Sequence, residues 1–295
     1  MQRFEHNFRA MGGRCQLRVD HDTETAALSA IAVAEAEVRR LEARYSRYLE
    51  HSITSQINSH AGVQPVPIDA ETAGLLQHAD TLWRESDGMF DLTSGVLRRA
   101  WDFRSGRIPG ESELEPLLGK IGWQKLEWSE DSAFLPETGM ELDFGGCVKE
   151  YAADSAAAKL RAEGVDHALV DLAGDIATVG PQGDGQPWSI GVRDPTLRES
   201  AIAGLPLSGG AIASSGDYER CIEISGRRYG HILNPATGWP VAGLAAVSIS
   251  APQCLVAGSA ATLAMLKPEE EALTWLADLG LPWVAVDQRG RCHSG

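Results

Sequence analysis

The sequence predicts a mixed α+β fold, and three observations carry that prediction. Segments of strand pattern crowd the second half, helical periodicity dominates the first, and the two do not alternate in a regular strand–helix rhythm. No GxGxxG follows the first strand, which disfavours a doubly wound dinucleotide-binding sheet. The chain has 295 residues and is 43% hydrophobic, enough for a sizeable core. We read it as a single domain over 1–295.

The elements follow in chain order. Residues 14–20 alternate, with Cys15, Leu17 and Val19 on one face, and read as a half-buried strand. Over 23–45 the positions Ile31, Ala34, Val38, Leu41 and Tyr45 recur at spacings of three and four, one face of a helix. Asp69 is placed to cap a second helix that carries Ala73, Leu76 and Trp83 and ends before Asp87-Gly88. Residues 101–137 are rich in Gly, Pro and charge and read as loops with a short helix and a weak strand. The alanine-rich stretch 149–163 is helical, with Gly164 as its stop. Strand pattern marks 168–172, 188–193, 221–224, 245–251 and 283–287. Helices are predicted at 255–266 and 268–279, the latter opening with Pro268 and three glutamates.

Lys plus Arg number 26 against 41 Asp plus Glu, a net charge of −15. That balance repels nucleic-acid phosphates and anionic lipid surfaces. No apolar run is long enough to span a membrane. The polar start, 1–9, lacks the apolar core of a signal peptide, so the chain reads as cytoplasmic, or periplasmic if an export signal was removed. The five cysteines, Cys15, Cys147, Cys221, Cys254 and Cys292, are scattered without a CxxC and read as reduced thiols.

Five glycine-bearing clusters concentrate the polar chemistry, and each also reads as a plain turn. In Asp143-Phe144-Gly145-Gly146-Cys147-Val148-Lys149-Glu150, a strand ending in Gly-Gly and a following helix would turn backbone N–H groups toward an anion, with Lys149 in reach of a phosphate. Gly174-Asp175 puts an acid after a strand, and a third cluster covers 214–220. His231 is flanked by Gly230 and by Asn234-Pro235-Ala236-Thr237-Gly238. Near the start lie Met11-Gly12-Gly13 and Tyr48 with Ser52, Ser55 and Asn58, groups able to stack on a planar ring and bond its heteroatoms. Met89-Phe90-Asp91-Leu92-Thr93 completes the set.

In this order, from about residue 8 to 266, the clusters resemble the ApbE family, the FAD:protein FMN transferases. The resemblance rests on Met11-Gly12, Tyr48 with Ser52, Ser55 and Asn58, Phe90-Asp91-Leu92-Thr93, Asp143-Phe144-Gly145-Gly146 with Lys149, Gly174-Asp175, Ser215-Gly216-Asp217-Tyr218, His231 with Asn234-Pro235 and Thr237-Gly238, and Ala257 with Thr262. It implies a T-fold-like α+β protein of mixed sheets and flanking helices, with FAD in a cleft between two intimate halves. It also implies transfer of FMN from FAD to a Thr or Ser hydroxyl of a flavoprotein partner, with Mg²⁺ and release of AMP.

Carried over by position, the resemblance makes Met11, Tyr48, Met89, Phe90, Asp91, Asp143, Lys149 and Leu233 the FAD contacts. Gly146, through its carbonyl, and Thr262 would hold Mg²⁺, and Asp175 or His231 would accept the hydroxyl proton. Two positions depart from the pattern. Ala257-Gly258 stands where the family has Ala-Asp, and Glu150 where it has a glycine after the motif lysine. Either Glu150, Asp175 or Asp217 supplies the missing carboxylate, or the metal site has decayed and the protein holds FAD as a carrier. Glu150 itself reads first as a solvated residue in the first turn of a helix. An FAD pyrophosphatase that uses water is the further alternative.

Overall fold

The computed structural model describes residues 1–193, 201–218, 220–224 and 227–295, so Glu219 of the third glycine cluster lies outside the described residues. The chain opens with a hairpin of β1 (Gln2–Ala10) and β2 (Gly13–His21), paired from Gln2–His21 to Ala10–Gly13. Strand β2 is the segment that alternation predicts. Strand β1 is not predicted, because as an edge strand it fully buries only Phe8 and Ala10 and is mostly polar along the rest. Helix α1 (Glu24–Tyr45) buries Ile31, Ala34, Val38, Leu41 and Tyr45, the predicted stripe. Helix α2 (Ile53–Ser59) is capped by Ser52, whose Oγ accepts from the Ser55 N–H at 3.0 Å. Strand β3 (Val66–Pro67) precedes α3 (Ala70–Glu85), and Asp69 caps α3 by accepting from the Thr72 N–H at 3.0 Å.

A 3₁₀ helix (Leu92–Arg99), α4 (Glu111–Leu118), β4 (Glu127–Trp128) and β5 (Ser132–Phe134) make up the loop-rich region. Helix α5 (Val148–Ala162) stops before Gly164, which takes φ +79°. Next come β6 (Ala168–Leu172), β7 (Asp175–Val179), β8 (Trp188–Arg193), β9 (Ala201–Leu207) and β10 (Gly210–Gly216). The described chain continues through β11 (Cys221–Ile224), β12 (Arg227–Gly230), β13 (Ala246–Ala251), α6 (Cys254–Leu266), α7 (Glu269–Asp278), β14 (Trp283–Val286) and β15 (Cys292–Ser294).

Among the described residues, eight strands form one antiparallel sheet in the order β1-β2-β6-β7-β10-β13-β14-β15. Helix α1 packs on β1 and β2, α5 on β6 and β7, and α6 on β10 and β13; α5 touches both other helices. The alanines of α5 explain that close layer: Ala152, Ala153, Ala156 and Ala157 are all buried and let the helix wedge between its neighbours. The β8–β9 ribbon covers the opposite side, where Trp188, Ile190 and Val192 pack with Leu169, Ile176 and Ile212. The mixed α+β prediction therefore holds.

One local expectation fails. No strand leads into Gly145-Gly146. The Leu142 backbone is instead held by Asn58, which accepts from its N–H at 2.7 Å and donates to its carbonyl at 2.9 Å. A 3₁₀ turn (Phe144–Gly146) follows, and only then does α5 begin. No helix among the described residues is long and apolar enough to cross a membrane.

Candidate functional site

Two hairpin ends meet at the centre of the site. The β1–β2 reversal puts Met11 at φ 53° and Gly12 at φ 74°, and the β6–β7 reversal puts Ala173 at φ 58° and Gly174 at φ 99°. Both central residues of each are left-handed, the turn that suits the twist of two-residue hairpins. The turns abut: a Cβ on Gly13 would lie 2.5 Å from Ala173 Cβ. The Met11 N–H donates to Glu42 Oε1 at 2.6 Å, and Asp171 Oδ1 accepts from the Gly174 N–H at 2.8 Å.

Asp175 leaves this junction as the first residue of β7 and is 1% exposed. Lys149, in the first turn of α5, reaches it with Nζ 2.6 Å from Asp175 Oδ2. The phosphate-contact candidate and one proton-acceptor candidate are thus one ion pair.

Asp143, Tyr48, Met89 and Phe90 form a second group at the start of α5. Asp143 Oδ1 accepts from the Gly145 N–H at 3.0 Å, and Oδ2 pairs with the Arg47 guanidinium. Arg47 donates to the Tyr48 hydroxyl at 3.0 Å and lies 5.1 Å from the centre of that ring. Burial is the largest influence on Arg47 and works against its charge, but the Asp143 carboxylate, Tyr48 and Glu141 together outweigh it and raise the guanidinium pKa. Tyr48 is 77% exposed, a rim residue. Phe90 is buried and lies against Gly146, where a Cβ would stand 3.2 Å from its ring, and Met89 before it packs partly buried on the same core.

Asp91, a candidate FAD contact, has both oxygens committed within the protein. Oδ1 accepts from the Thr93 N–H at 2.7 Å and its hydroxyl at 2.6 Å, and Oδ2 from the Trp123 N–H at 2.9 Å. Burial raises its pKa, and these donors work against the rise. Asp91 therefore caps the 3₁₀ helix that follows Phe90, with acceptor capacity left on Oδ2.

His231 and Leu233 sit on the loop after β12. Asn234 fixes that loop, donating its N–H to the Trp239 carbonyl and accepting from the Gly238 N–H, both at 2.8 Å. The Trp101 indole donates to the Gly238 carbonyl at 2.7 Å, and Leu233 packs on the Trp101 cluster. Thr262, on α6, has its Oγ1 3.4 Å from Ser215 Oγ.

The departures from the family pattern prove to be neighbours. Glu150 is 8% exposed, so the expectation of a solvated helix residue is overturned. It shares the buried stripe of α5 with Ala153 and Ala157, a spacing of three and four that was readable in the sequence. Its side chain fills the space beside Gly258: a Cβ there would lie 2.5 Å from Glu150 Cγ and 2.9 Å from Oε1. Burial, reinforced by the Asp175 charge and opposed by Lys149, pushes the Glu150 carboxyl well above the usual carboxylate range. Asp217, by contrast, accepts from Arg228 at 3.0 Å and Gln288 at 2.9 Å. Cys147 is buried, and that burial, with Glu150 and Asp143 nearby, raises its thiol pKa far above the reactive range.

Among the described residues no three His, Cys, Asp or Glu side chains are arranged as a metal cage. The donors available near the start of α5 and on α6 are the Gly146 carbonyl, the Thr262 hydroxyl and Glu150 Oε2, whose buried atom has no hydrogen-bond partner. An all-oxygen set with one carboxylate fits Mg²⁺, which keeps waters and shares substrate phosphates instead of needing a full protein cage. Sequence reasoning missed Arg47, because nothing local announces a partner 96 residues away.

Comparison with known proteins gives a consistent result. The profile of the ApbE family matches residues 11–284. The FAD:protein FMN transferase of Escherichia coli K12 is 28% identical over 257 residues, covering 83% of this chain and 73% of its own. That of Treponema pallidum is 28% identical over 309 residues, covering 97% and 85%. The crystal structure of the ApbE protein from Thermotoga maritima superposes with a TM-score of 0.90 at 28% identity, over 99% of this chain and 96% of that one. The flavin transferase ApbE from Vibrio cholerae superposes with a TM-score of 0.88 at 22% identity, over 100% and 96%, a likeness of fold.

Proposed function

The chain belongs to the ApbE family, and from that membership we propose that it is an FAD:protein FMN transferase. Its substrates are FAD and a partner flavoprotein, and its product is FMN joined to a Thr or Ser of that partner. The observation that carries this reading is the Lys149–Asp175 pair at 2.6 Å, set at the first turn of a helix where two glycine-bearing hairpin ends meet. An ammonium held there by a buried acid is a fixed positive charge of the kind a pyrophosphate needs.

In the proposed reaction the acceptor hydroxyl oxygen attacks the FMN-side phosphorus of FAD. The bond from that phosphorus to the bridging oxygen breaks, and AMP leaves with the electron pair. Such transfers depend on alignment and charge neutralisation more than on covalent help from the protein. Lys149 meets the pyrophosphate charge, and Asp175 holds Lys149 in place. Since Asp175 is already occupied by that ammonium, His231 is assigned to take the hydroxyl proton. Met11, Tyr48, Met89, Phe90, Asp143 and Leu233 line the flavin and adenine ends, with Arg47 bracing Tyr48 against Asp143. Mg²⁺, when bound through Gly146 and Thr262, supplies further neutralisation of the pyrophosphate.

Mass spectrometry of an acceptor peptide incubated with protein, FAD and Mg²⁺ tests the reading. The expected result is an FMN adduct on Thr or Ser, with AMP released in equal amount. Free FMN with unmodified peptide would indicate a pyrophosphatase, and intact FAD a carrier; either overturns the transferase assignment. Lys149→Met is expected to lower turnover by about 10²-fold or more, the scale on which electrostatic stabilisers act. His231→Ala should slow transfer while leaving FAD binding in place.

A further inference from the structure

The three acids that could supply the missing carboxylate differ in what they already hold. Asp217 is bonded by Arg228 at 3.0 Å and Gln288 at 2.9 Å, and Asp175 by Lys149 at 2.6 Å. Glu150 is 8% exposed, and its Oε2 is buried with no hydrogen-bond partner. A buried carboxylate oxygen without a donor calls for a proton or a cation.

Its position is as specific as its lack of a partner. The Glu150 side chain crosses from α5 to α6 and occupies the place of a Cβ at Gly258, 2.5 Å from its own Cγ. Thr262 follows Gly258 by one helical turn, so the carboxylate is delivered to the face of α6 that carries that hydroxyl. On its own side, Glu150 lies in the first turn of α5, the helix that the Gly146 turn leads into. The acid thus stands four residues after Gly146 in sequence and against α6 one turn before Thr262, the two oxygen donors already assigned to a divalent cation.

We propose that Glu150 is the carboxylate ligand of Mg²⁺ in this chain, supplying from α5 the oxygen that residue 258 on α6, a glycine, does not carry. The remaining positions fall to the Gly146 carbonyl, the Thr262 hydroxyl, waters and pyrophosphate oxygens of FAD, the mixed shell that Mg²⁺ prefers. The proposal rests on the transferase reading only in placing FAD at this site. It also explains why position 258 has no side chain, since both cannot be accommodated together.

The test uses Mn²⁺ as a paramagnetic probe. Electron paramagnetic resonance follows loss of the free Mn²⁺ signal as protein holding FAD, without acceptor, is titrated. FAD binding is measured separately in EDTA by flavin fluorescence. Wild-type protein is expected to bind Mn²⁺ and to release it to excess Mg²⁺. Glu150→Gln should weaken Mn²⁺ binding at least about tenfold, while FAD affinity in EDTA stays within about threefold. Glu150→Gly should lose Mn²⁺ likewise, and Glu150→Gly with Gly258→Asp should recover it by returning the acid from the other helix.

Mn²⁺ binding by Glu150→Gln within about twofold of wild type would overturn the proposal, as would wild-type protein that binds FAD but no Mn²⁺. If Glu150→Gln does not fold, the pair of Glu150→Gly and its double variant decides, and equal Mn²⁺ affinity in the two would overturn it. Failure of the wild-type protein to bind FAD in EDTA would instead strike the transferase reading.

Discussion

At the scale of single residues, this site is a set of pairs in which one side chain determines what its partner can be. Lys149 and Asp175 share a charge, Arg47 holds Asp143 and Tyr48 together, and Glu150 excludes a side chain at 258. The last pairing makes a sharp prediction. Gly258→Ala places a methyl group 2.5 Å from Glu150 Cγ and should destabilise the protein by about 1–3 kcal/mol, the usual cost of overpacking. In a Glu150→Ala background the three atoms nearest that methyl are gone, and most of that cost should vanish. Urea unfolding of the four proteins in a double-mutant cycle measures the coupling. Additive effects would mean that the two side chains do not compete. Asp91 illustrates the opposite case, an acid placed among the ligand contacts by resemblance whose oxygens serve Thr93 and Trp123.

At the scale of elements, the long helices were legible, while the short α2 and several strands were not, for physical reasons. The stripe Ile31-Ala34-Val38-Leu41-Tyr45 fixes α1 because one face is buried and the other wet. Strand β7 is buried at every position, so Asp175–Val179 shows no alternation, and β10 is built of Ala, Ser and Gly with little strand character of its own. Several glycine clusters fold as the turns and helix starts that the sequence predicts. The site's pairings stayed hidden because they join different elements, Arg47 before α2 to Asp143 before α5 and Glu150 on α5 to Gly258 on α6. The α1–α5 contact offers an element-scale prediction through Glu37, which accepts from Arg40 at 2.8 Å and from Ser155 of α5 at 2.6 Å. The Arg40 bonds, more than burial opposes them, bring its pKa down from 4.5 to about 2. A folded-state pKa below the unfolded one means stabilisation that is full above pH 4.5 and is lost as pH falls toward about 2. Glu37→Gln should therefore lower stability at pH 7 by about 1–3 kcal/mol and flatten the acid limb of urea midpoint against pH. An unchanged acid limb would assign that limb to other carboxylates.

At the scale of the whole molecule, charge and topology act together. The chain carries a net −15, and the Lys149 and Arg47 cations at the site are each matched by a carboxylate. The approach of anionic FAD is thus governed by the field of the whole protein. Its association rate should rise as salt is raised from about 0.02 M to about 0.2 M, because screening weakens like-charge repulsion. Stopped-flow flavin fluorescence reads this directly, and a rate that falls with salt would reveal a steering patch. Topology sets a different condition, one of time. Strand β2 pairs with β1 at once but with β6 only through Cys15–Leu172 to Val19–Ala168, partners about 150 residues apart. On a ribosome adding about 5–20 residues per second, the open edge of β2 waits roughly 8–30 seconds for its neighbour. For that interval the nascent hairpin presents the apolar row Cys15, Leu17 and Val19 beside an unpaired backbone. Helix α1, made directly after it and packed on β1 and β2, is the early cover for that apolar row, while the backbone edge itself waits for β6.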